Sequence, residues 1–242
     1  MKIDLFCPSR ERINKVLTFI CSIITTAKDI NNINLVLGVD DDDPKLDHYL
    51  KIAQNLDFIQ VVRYPEGLIE KIGLCGLWNV MAEQTTNEII AMVGDDMKFE
   101  TPDWDEKILK EFSNKEDNFY LIHCNDGMRG PGNKYANVPP LAVNSFIHRD
   151  YVDTVGHYME EVEPNTFGDT YLDKVFELLN RKIYFHDIMI RHMHFSEYGG
   201  KDQVSVNIEK TREGIWDDPA FFQEKLMPEI LKEVEIIKAK IV

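Results

Sequence analysis

INLVLGVDDDDP, residues 33–44, is an almost unbroken apolar run closed by four aspartates and a proline. A continuous run of this kind, without alternation, reads as a strand buried on both faces, as in a parallel sheet. Polarity then switches within one residue. Asp43-Pro44 supplies an N-cap and an N1 proline for a helix carrying Leu46, Tyr49, Leu50, Ala53 and Leu56. A buried strand running straight into a helix start is half of a βαβ unit.

The same unit recurs on both sides. Upstream, 3–7 alternates as a short strand ended by Pro8-Ser9. A helix follows, with Ser9 as N-cap, Glu11 in the first turn, and an apolar face of Ile13, Val16, Leu17, Ile20, Ile23, Ile24 and Ala27. Downstream, 58–62 is the third strand, Leu74, Leu77, Trp78, Met81 and Ala82 mark a helix, and 89–93 (IIAMV) is the fourth strand. Thr101-Pro102 opens a short helix through Trp104, Ile108, Leu109 and Phe112. Strands alternating with helices predict an α/β fold with a mostly parallel, Rossmann-like sheet flanked by helices.

The second half reads as a mixed part. Strands are expected over 119–123, 141–147 and within 182–194, and a helix carries Tyr171, Leu172, Val175, Phe176, Leu178 and Leu179. The tail from Trp216 is helical, with a break expected at Pro228. No linker divides the chain, so 1–242 is expected to be one domain.

The 242 residues include 42 acidic and 27 Lys/Arg side chains, a formal charge of −15. With 44% hydrophobic and 29% charged residues, the composition is that of a packed fold, not a disordered acidic chain. The charge argues against a general electrostatic grip on nucleic acid or anionic lipid. The apolar stretch 16–27 is too short to span a bilayer, and with a strand read at 2–7 no leader is expected before the fold. Cys7, Cys21, Cys75 and Cys124 form no Cys-x-x-Cys pair, which fits a reducing compartment. The expected location is the cytoplasm, that of the host if the protein is viral.

Ligands of open parallel sheets bind beyond the carboxyl ends of the strands. Here those ends read Pro8-Ser9-Arg10, Asp40 to Asp43, Arg63 to Gly67 and Gly94-Asp95-Asp96. Two of the four are acidic, a pattern that suits a divalent cation contacting phosphate oxygens. Asp41 to Asp43 read best as favourable charge at a helix start. Asp40 directly follows the strand, and no helix begins at once after Asp95-Asp96, so these three are the functional candidates. His192 and His194 lie two apart on an expected strand and share a face, where either or both could ligate a metal. The long Gly/Pro loop over 125–140, with Asp126, Arg129 and Lys134, is a candidate lid or acceptor-binding segment. Arg129 and Lys134 read individually as solvated cations.

A strand ending in Pro-Ser-Arg, one ending in Asp, and one ending in Asp-Asp before Thr-Pro-x-Trp resemble a nucleotide-sugar-dependent glycosyltransferase. The fold implied is GT-A and the pattern family-2-like, of the compact phage and bacterial type, from Lys2 to about Asp202. The resemblance implies a nucleotide-sugar half over about 1–100, an acceptor and catalytic half over about 101–202, and a helical tail over 203–242. Pro8, Ser9 and Arg10 would line the nucleotide pocket, Asp40 would bind the base, typically uracil, and Asp95-Asp96 would occupy the Asp-x-Asp position. Asp96 would ligate Mn²⁺ or Mg²⁺ with a late histidine, His192 or His194. Gly94 stands where the first aspartate often lies, leaving the ribose contact to Asp95. Phe167-Gly168-Asp169 matches the family's Glu-Asp pair, with Asp169 as catalytic base and glycine in place of the glutamate. On the residues alone, Asp169 also reads as a helix N-cap.

The activity implied is transfer of a hexosyl unit from a nucleoside diphosphate sugar, such as UDP-glucose, to an acceptor hydroxyl, with inversion. The acceptor is left open between a glycan, a protein hydroxyl, a small molecule and a hydroxymethylated base in phage DNA. VGDDM is also similar to the Gly-Asp-Asp of viral polymerase palms, but there it sits in a hairpin, not after a parallel strand. A sugar nucleotidyltransferase is disfavoured because 8–15 (PSRERINK) contains no glycine. A non-catalytic nucleotide- or carbohydrate-binding module is the remaining alternative.

Overall fold

The computed structural model describes residues 1–161, 167–194, 202, 206, 210 and 219–241. In chain order the elements are β1 (Ile3–Pro8), α1 (Ile13–Thr26), β2 (Ile33–Asp40), α2 (Leu46–Ala53), β3 (Ile59–Tyr64), α3 (Leu68–Glu83) and β4 (Ile89–Met92). These are followed by β5 (Met97–Phe99), α4 (Trp104–Ser113), β6 (Leu121–Asn125), β7 (Ser145–His148), α5 (Asp150–Val155), α6 (Gly168–Leu178) and β8 (Lys182–His192). A helical run from Pro219 ends in α7 (Met227–Lys238).

The strands order as β3-β2-β1-β4-β7-β6-β8-β5. β1 to β4 are mutually parallel, β7 runs against both β4 and β6, and β8 is parallel to β6. β6 and β8 therefore point the same way as the first four strands. β5 folds back antiparallel onto the end of β8.

Both faces are covered, as the unbroken apolar runs require. Ile3, Leu5 and Cys7 of β1 and Leu35, Leu37 and Val39 of β2 enter the core under α1, α2 and α4. Phe6 and Val36 enter the opposite core, under α3, α5, α6 and α7. Trp104 anchors the first core, 4.3 Å from the Phe99 ring and 6.1 Å from that of Phe146. Gly38 is required because a Cβ there would collide with the Tyr64 ring that closes β3 over β2.

The chain departs from the sequence reading at several places. α1 begins at Ile13 rather than after Ser9, and Glu11, expected in its first turn, has φ +58° in the loop before it. Ser9 caps no helix because its hydroxyl turns to Asp95 instead. α2 begins at Leu46; Asp43 still caps the turn before it, accepting the Lys45 amide at 2.6 Å. α3 is broken at Gly73 (φ 64°, ψ −174°). The strand expected over 141–147 is paired only over Ser145–His148. β5 and α5, of three and six residues, are too short to show a period. The chain does not break at Pro228: a π-helical turn over Phe222–Leu226 precedes it, absorbing the missing N–H and the ring clash. Trp216 lies outside the described residues. No helix among the described residues is long and apolar enough to cross a membrane.

One topological fact positions the site. β8 starts beside the start of β6, so α6, which leads into it, runs back along the sheet and begins toward the carboxyl ends of the strands. The ends of β1, β2, β4, β6 and β8 and the first turn of α6 thus share one edge.

Candidate functional site

At this edge the chain leaves β1 through Pro8, and Ser9 is fixed by its amide to Gly38 O (2.9 Å). The Ser9 hydroxyl donates to Asp95 Oδ2 at 2.7 Å and lies 3.1 Å from the Tyr49 hydroxyl. Arg10 makes a two-pronged pair with Asp42 (2.7 and 2.9 Å) and reaches Asp40 Oδ2 at 3.0 Å. Burial raises Asp40, and the Arg10 bond only partly offsets it. Asp41 pairs with Arg63, and Asp43 holds the Glu11 and Lys45 amides. Asp43 keeps its place at the helix start, and Asp41, Asp42 and Asp43 also make specific bonds that tie the ends of β1, β2 and β3 together.

Asp95 is 4% exposed. Besides Ser9 it meets Arg12 at 3.2 Å. Burial, with Asp96 beside it, pushes it up to about 6 despite Arg12. Asp96 goes the other way. Burial would raise it, but the His192 hydrogen bond and the nearby cations of His192, Arg12 and Lys15 outweigh that and bring it to about 2. Gly94 makes this arrangement possible: a Cβ at that position would lie 2.7 Å from Asp96 Oδ1. An aspartate at 94 and this placement of Asp96 exclude each other.

The end of β8 carries the second half of the site. His192 Nε2 is 3.4 Å from Asp96 Oδ1, and the His192 and His194 rings stand edge to face, 5.3 Å apart. Burial lowers His192, but its bond to Asp96 prevails and the ring is raised overall. Its Nδ1 is buried and has no partner among the described residues. The backbone ties the parts together, since His192 N donates to Asp126 O (2.9 Å) and Met193 N to Asp96 O (2.7 Å). Asp96 and His192 fit neighbouring positions on one cation, though no set of three ligands converges here among the described residues. A site completed by substrate phosphates and water has this form.

Asp126 is almost fully buried and its carboxylate is committed to the loop. It accepts the Met128 and Arg129 amides (2.7 and 2.9 Å) and the Arg129 guanidinium (3.1 Å). Arg129 is therefore an ion-paired residue rather than a lone solvated cation. Lys134 is exposed, its ammonium 5.2 Å from the Tyr135 ring centre.

Asp169 sits half-buried in the first turn of α6, where its Oδ1 accepts from Thr170 N at 2.7 Å. It is not the N-cap; that position is Phe167, in a left-handed conformation. Gly168 packs against α3, and a Cβ there would lie 3.2 Å from Cys75 Sγ and 3.4 Å from Met159 Sδ. A side chain there would require these two sulfur atoms to give way by a few tenths of an ångström.

Sequence reasoning missed Arg12, Lys15 and Asp202. Arg12 Nε and Nη2 donate to Asp202 (2.8 and 2.6 Å), and Lys15 bonds the same carboxylate at 3.0 Å. The late start of α1 brings Arg12 to the acidic pair, and nothing in 8–15 signals that start.

No protein-family model matches the sequence, and no curated protein sequence is similar to it. Solved structures do match. PcManGT, a mannosyltransferase from Pyrobaculum calidifontis in complex with GDP-Man and Mn²⁺, aligns over 98% of this chain and 73% of its own with TM-score 0.63 and 13% identity. S. aureus TarS 1–349 in complex with UDP-GlcNAc aligns over 96% and 72%, with TM-score 0.62 and 13% identity. A longer TarS chain is covered only to 36%, against 78% of this chain (TM-score 0.61, 13% identity). The chain thus shares the GT-A fold of these solved structures.

Proposed function

We propose that the protein is a metal-dependent glycosyltransferase that moves a hexosyl unit from a nucleoside diphosphate sugar, a UDP-sugar first, to an acceptor hydroxyl with inversion. The observation that carries this reading is the meeting of Ser9, Arg12, Asp95, Asp96 and His192 at one sheet edge, with the first turn of α6 opening toward it.

Asp40 keeps one carboxylate oxygen after its bond to Arg10, and that oxygen accepts an N–H of the base. Pro8, Ser9 and Arg10 line the nucleotide side, and Asp95, steadied by Ser9 and Arg12, faces the ribose. Asp96 and His192, with His194 beside them, would hold Mn²⁺ or Mg²⁺, which would offset negative charge on a diphosphate leaving group. Asp169 uses the oxygen not engaged by Thr170 to take the proton of the acceptor hydroxyl as that oxygen attacks the anomeric carbon from the face opposite the diphosphate. Each carboxylate thus has one task, and one attack on the sugar gives inversion. The loop over 126–138 borders the acceptor side, with Arg129 and Lys134 as its cations.

The test is incubation with a panel of labelled sugar nucleotides, with and without Mn²⁺. Metal-dependent release of nucleoside diphosphate supports transfer. Pyrophosphate chemistry would mark a nucleotidyltransferase, and binding without turnover a binding module.

A further inference from the structure

We infer that His157, Glu160 and Glu233 form a second divalent-cation site, set in the helical layer rather than at the strand ends, that pins α7 to the segment joining α5 and α6. The potential ligand atoms of the three residues lie within 4.8 Å of one another, the only such set among the described residues. His157 Nε2 is 3.1 Å from Glu233 Oε1 and 3.4 Å from Glu160 Oε2. One ring nitrogen offers one N–H, which serves one carboxylate and not two. A tetrahedral cation with bonds of about 2.0–2.2 Å sets neighbouring ligands about 3.3–3.6 Å apart, close to this spacing.

The charge balance points the same way. Glu233 is 4% exposed, and His157 is the only ion-pair partner that it or Glu160 has among the described residues. The remaining donors to Glu233 are the neutral hydroxyls of Tyr151 (2.6 Å) and Tyr171 (2.8 Å). Two carboxylates, the buried Glu233 and the partly exposed Glu160, share one imidazole. Beyond it, among the described residues, only the exposed Lys232 acts on them electrostatically, so a cation between them would offset the negative excess. Hydroxyls bonding the carboxylate are what a metal-ligating glutamate commonly has around it. The segment is already preformed, because Asn79 of α3 bonds the Tyr158 and Met159 amides and Met159 O. A cleft of ≈ 460 Å³ lined by His157, Glu161, Asn79, Thr85 and Arg149 opens beside the histidine of the set. One imidazole and two carboxylates suit Zn²⁺ first and Mn²⁺ second, with water in the open position.

The test titrates the chelator-stripped full chain with Zn²⁺ and, separately, Mn²⁺ by calorimetry. Co²⁺ absorption bands report coordination. The expected result is uptake that persists in Asp96→Ala but weakens at least about 100-fold in His157→Gln and Glu160→Gln. At a hundredfold excess over Kd, the cation should raise the Tm of Asp96→Ala, which lacks the strand-end site, by about 5–10 °C, and that of the double variant Asp96→Ala with His157→Gln not at all. His157 and Glu160 are partly exposed, so both variants should fold, which circular dichroism without metal verifies. Uptake of undiminished affinity in His157→Gln, or no uptake beyond that removed by Asp96→Ala, would overturn the inference.

Discussion

Asp4, near the start of β1, and Asp95, beyond the end of β4, are both almost entirely buried, at 0% and 4%. The protein treats them oppositely. Asp4 accepts from Asn34 and Asn87 (both 2.7 Å) and from Arg149 (3.2 Å). Arg149 spends its other donors on Asn87 O, Ala82 O and the Thr85 hydroxyl. This edge of the sheet is a closed polar lock. Asp95 shares Arg12 with Asp202, lies beside a second carboxylate, and is pushed up to about 6 by burial. Compensated charge marks one edge of the sheet, and incompletely compensated charge marks the edge proposed above to take the donor.

The contrast can be broken from either side. Asp96→Ala and Asp169→Asn should each lower kcat by about 10³-fold or more. Asp169→Asn should leave Tm nearly unchanged, whereas Asp96→Ala, which removes the partner of His192, should lower it, as rate assays and calorimetry on the same samples would reveal. Retention of full transfer activity by both would sink the assignment. Arg149→Met should do the reverse. Leaving Asp4 buried without its cation should cost about 3–5 kcal/mol by urea denaturation, with activity per folded molecule intact.

A smaller effect should come from Asp95→Asn. The folded protein binds the Asp95 proton more tightly than the unfolded chain does, at about 6 against the ordinary 3.8. Wild-type stability should therefore rise relative to the variant as pH falls from 7 toward 4, and the gain should be lost again as pH rises through 6. The full swing is about 2–3 kcal/mol by denaturation in chelator. A flat difference would mean that burial does not raise Asp95. Least of all, Arg10→Ala should raise the donor KM by about tenfold, through a less firmly placed Asp40, with stability little changed because Arg10 is a third exposed.

The parallel half was legible because a strand buried on both faces has no choice but to be continuously apolar, as 33–39 and 89–93 are. The acidic strand ends followed from the same logic, since carboxylates cannot remain inside and must emerge at an edge. Chain separation hid the rest. β5 and β8 meet across ninety residues of sequence, and their pairing brings His192 to Asp96. Arg12 was concealed by a helix start that carries no capping signal, Ser9 being drawn away to Asp95. Four basic residues of the second half are set apart by their partners. Arg129, Arg149 and Arg191 are engaged by Asp126, Asp4 and Glu100, which leaves Lys134 as the exposed one of the four. A polyanionic acceptor would find little to hold there.

The last residues of β8 act as a yoke. Two successive amides, of His192 and Met193, are bonded to Asp126 O on one side and Asp96 O on the other. Neither the loop nor the acidic turn can shift without straining the same short piece of backbone. Deuterium exchange at these two amides therefore reads both structures at once. A donor that fastens Asp96 should slow exchange at Met193 and at His192 together, and carry that protection into the loop amides that Asp126 holds.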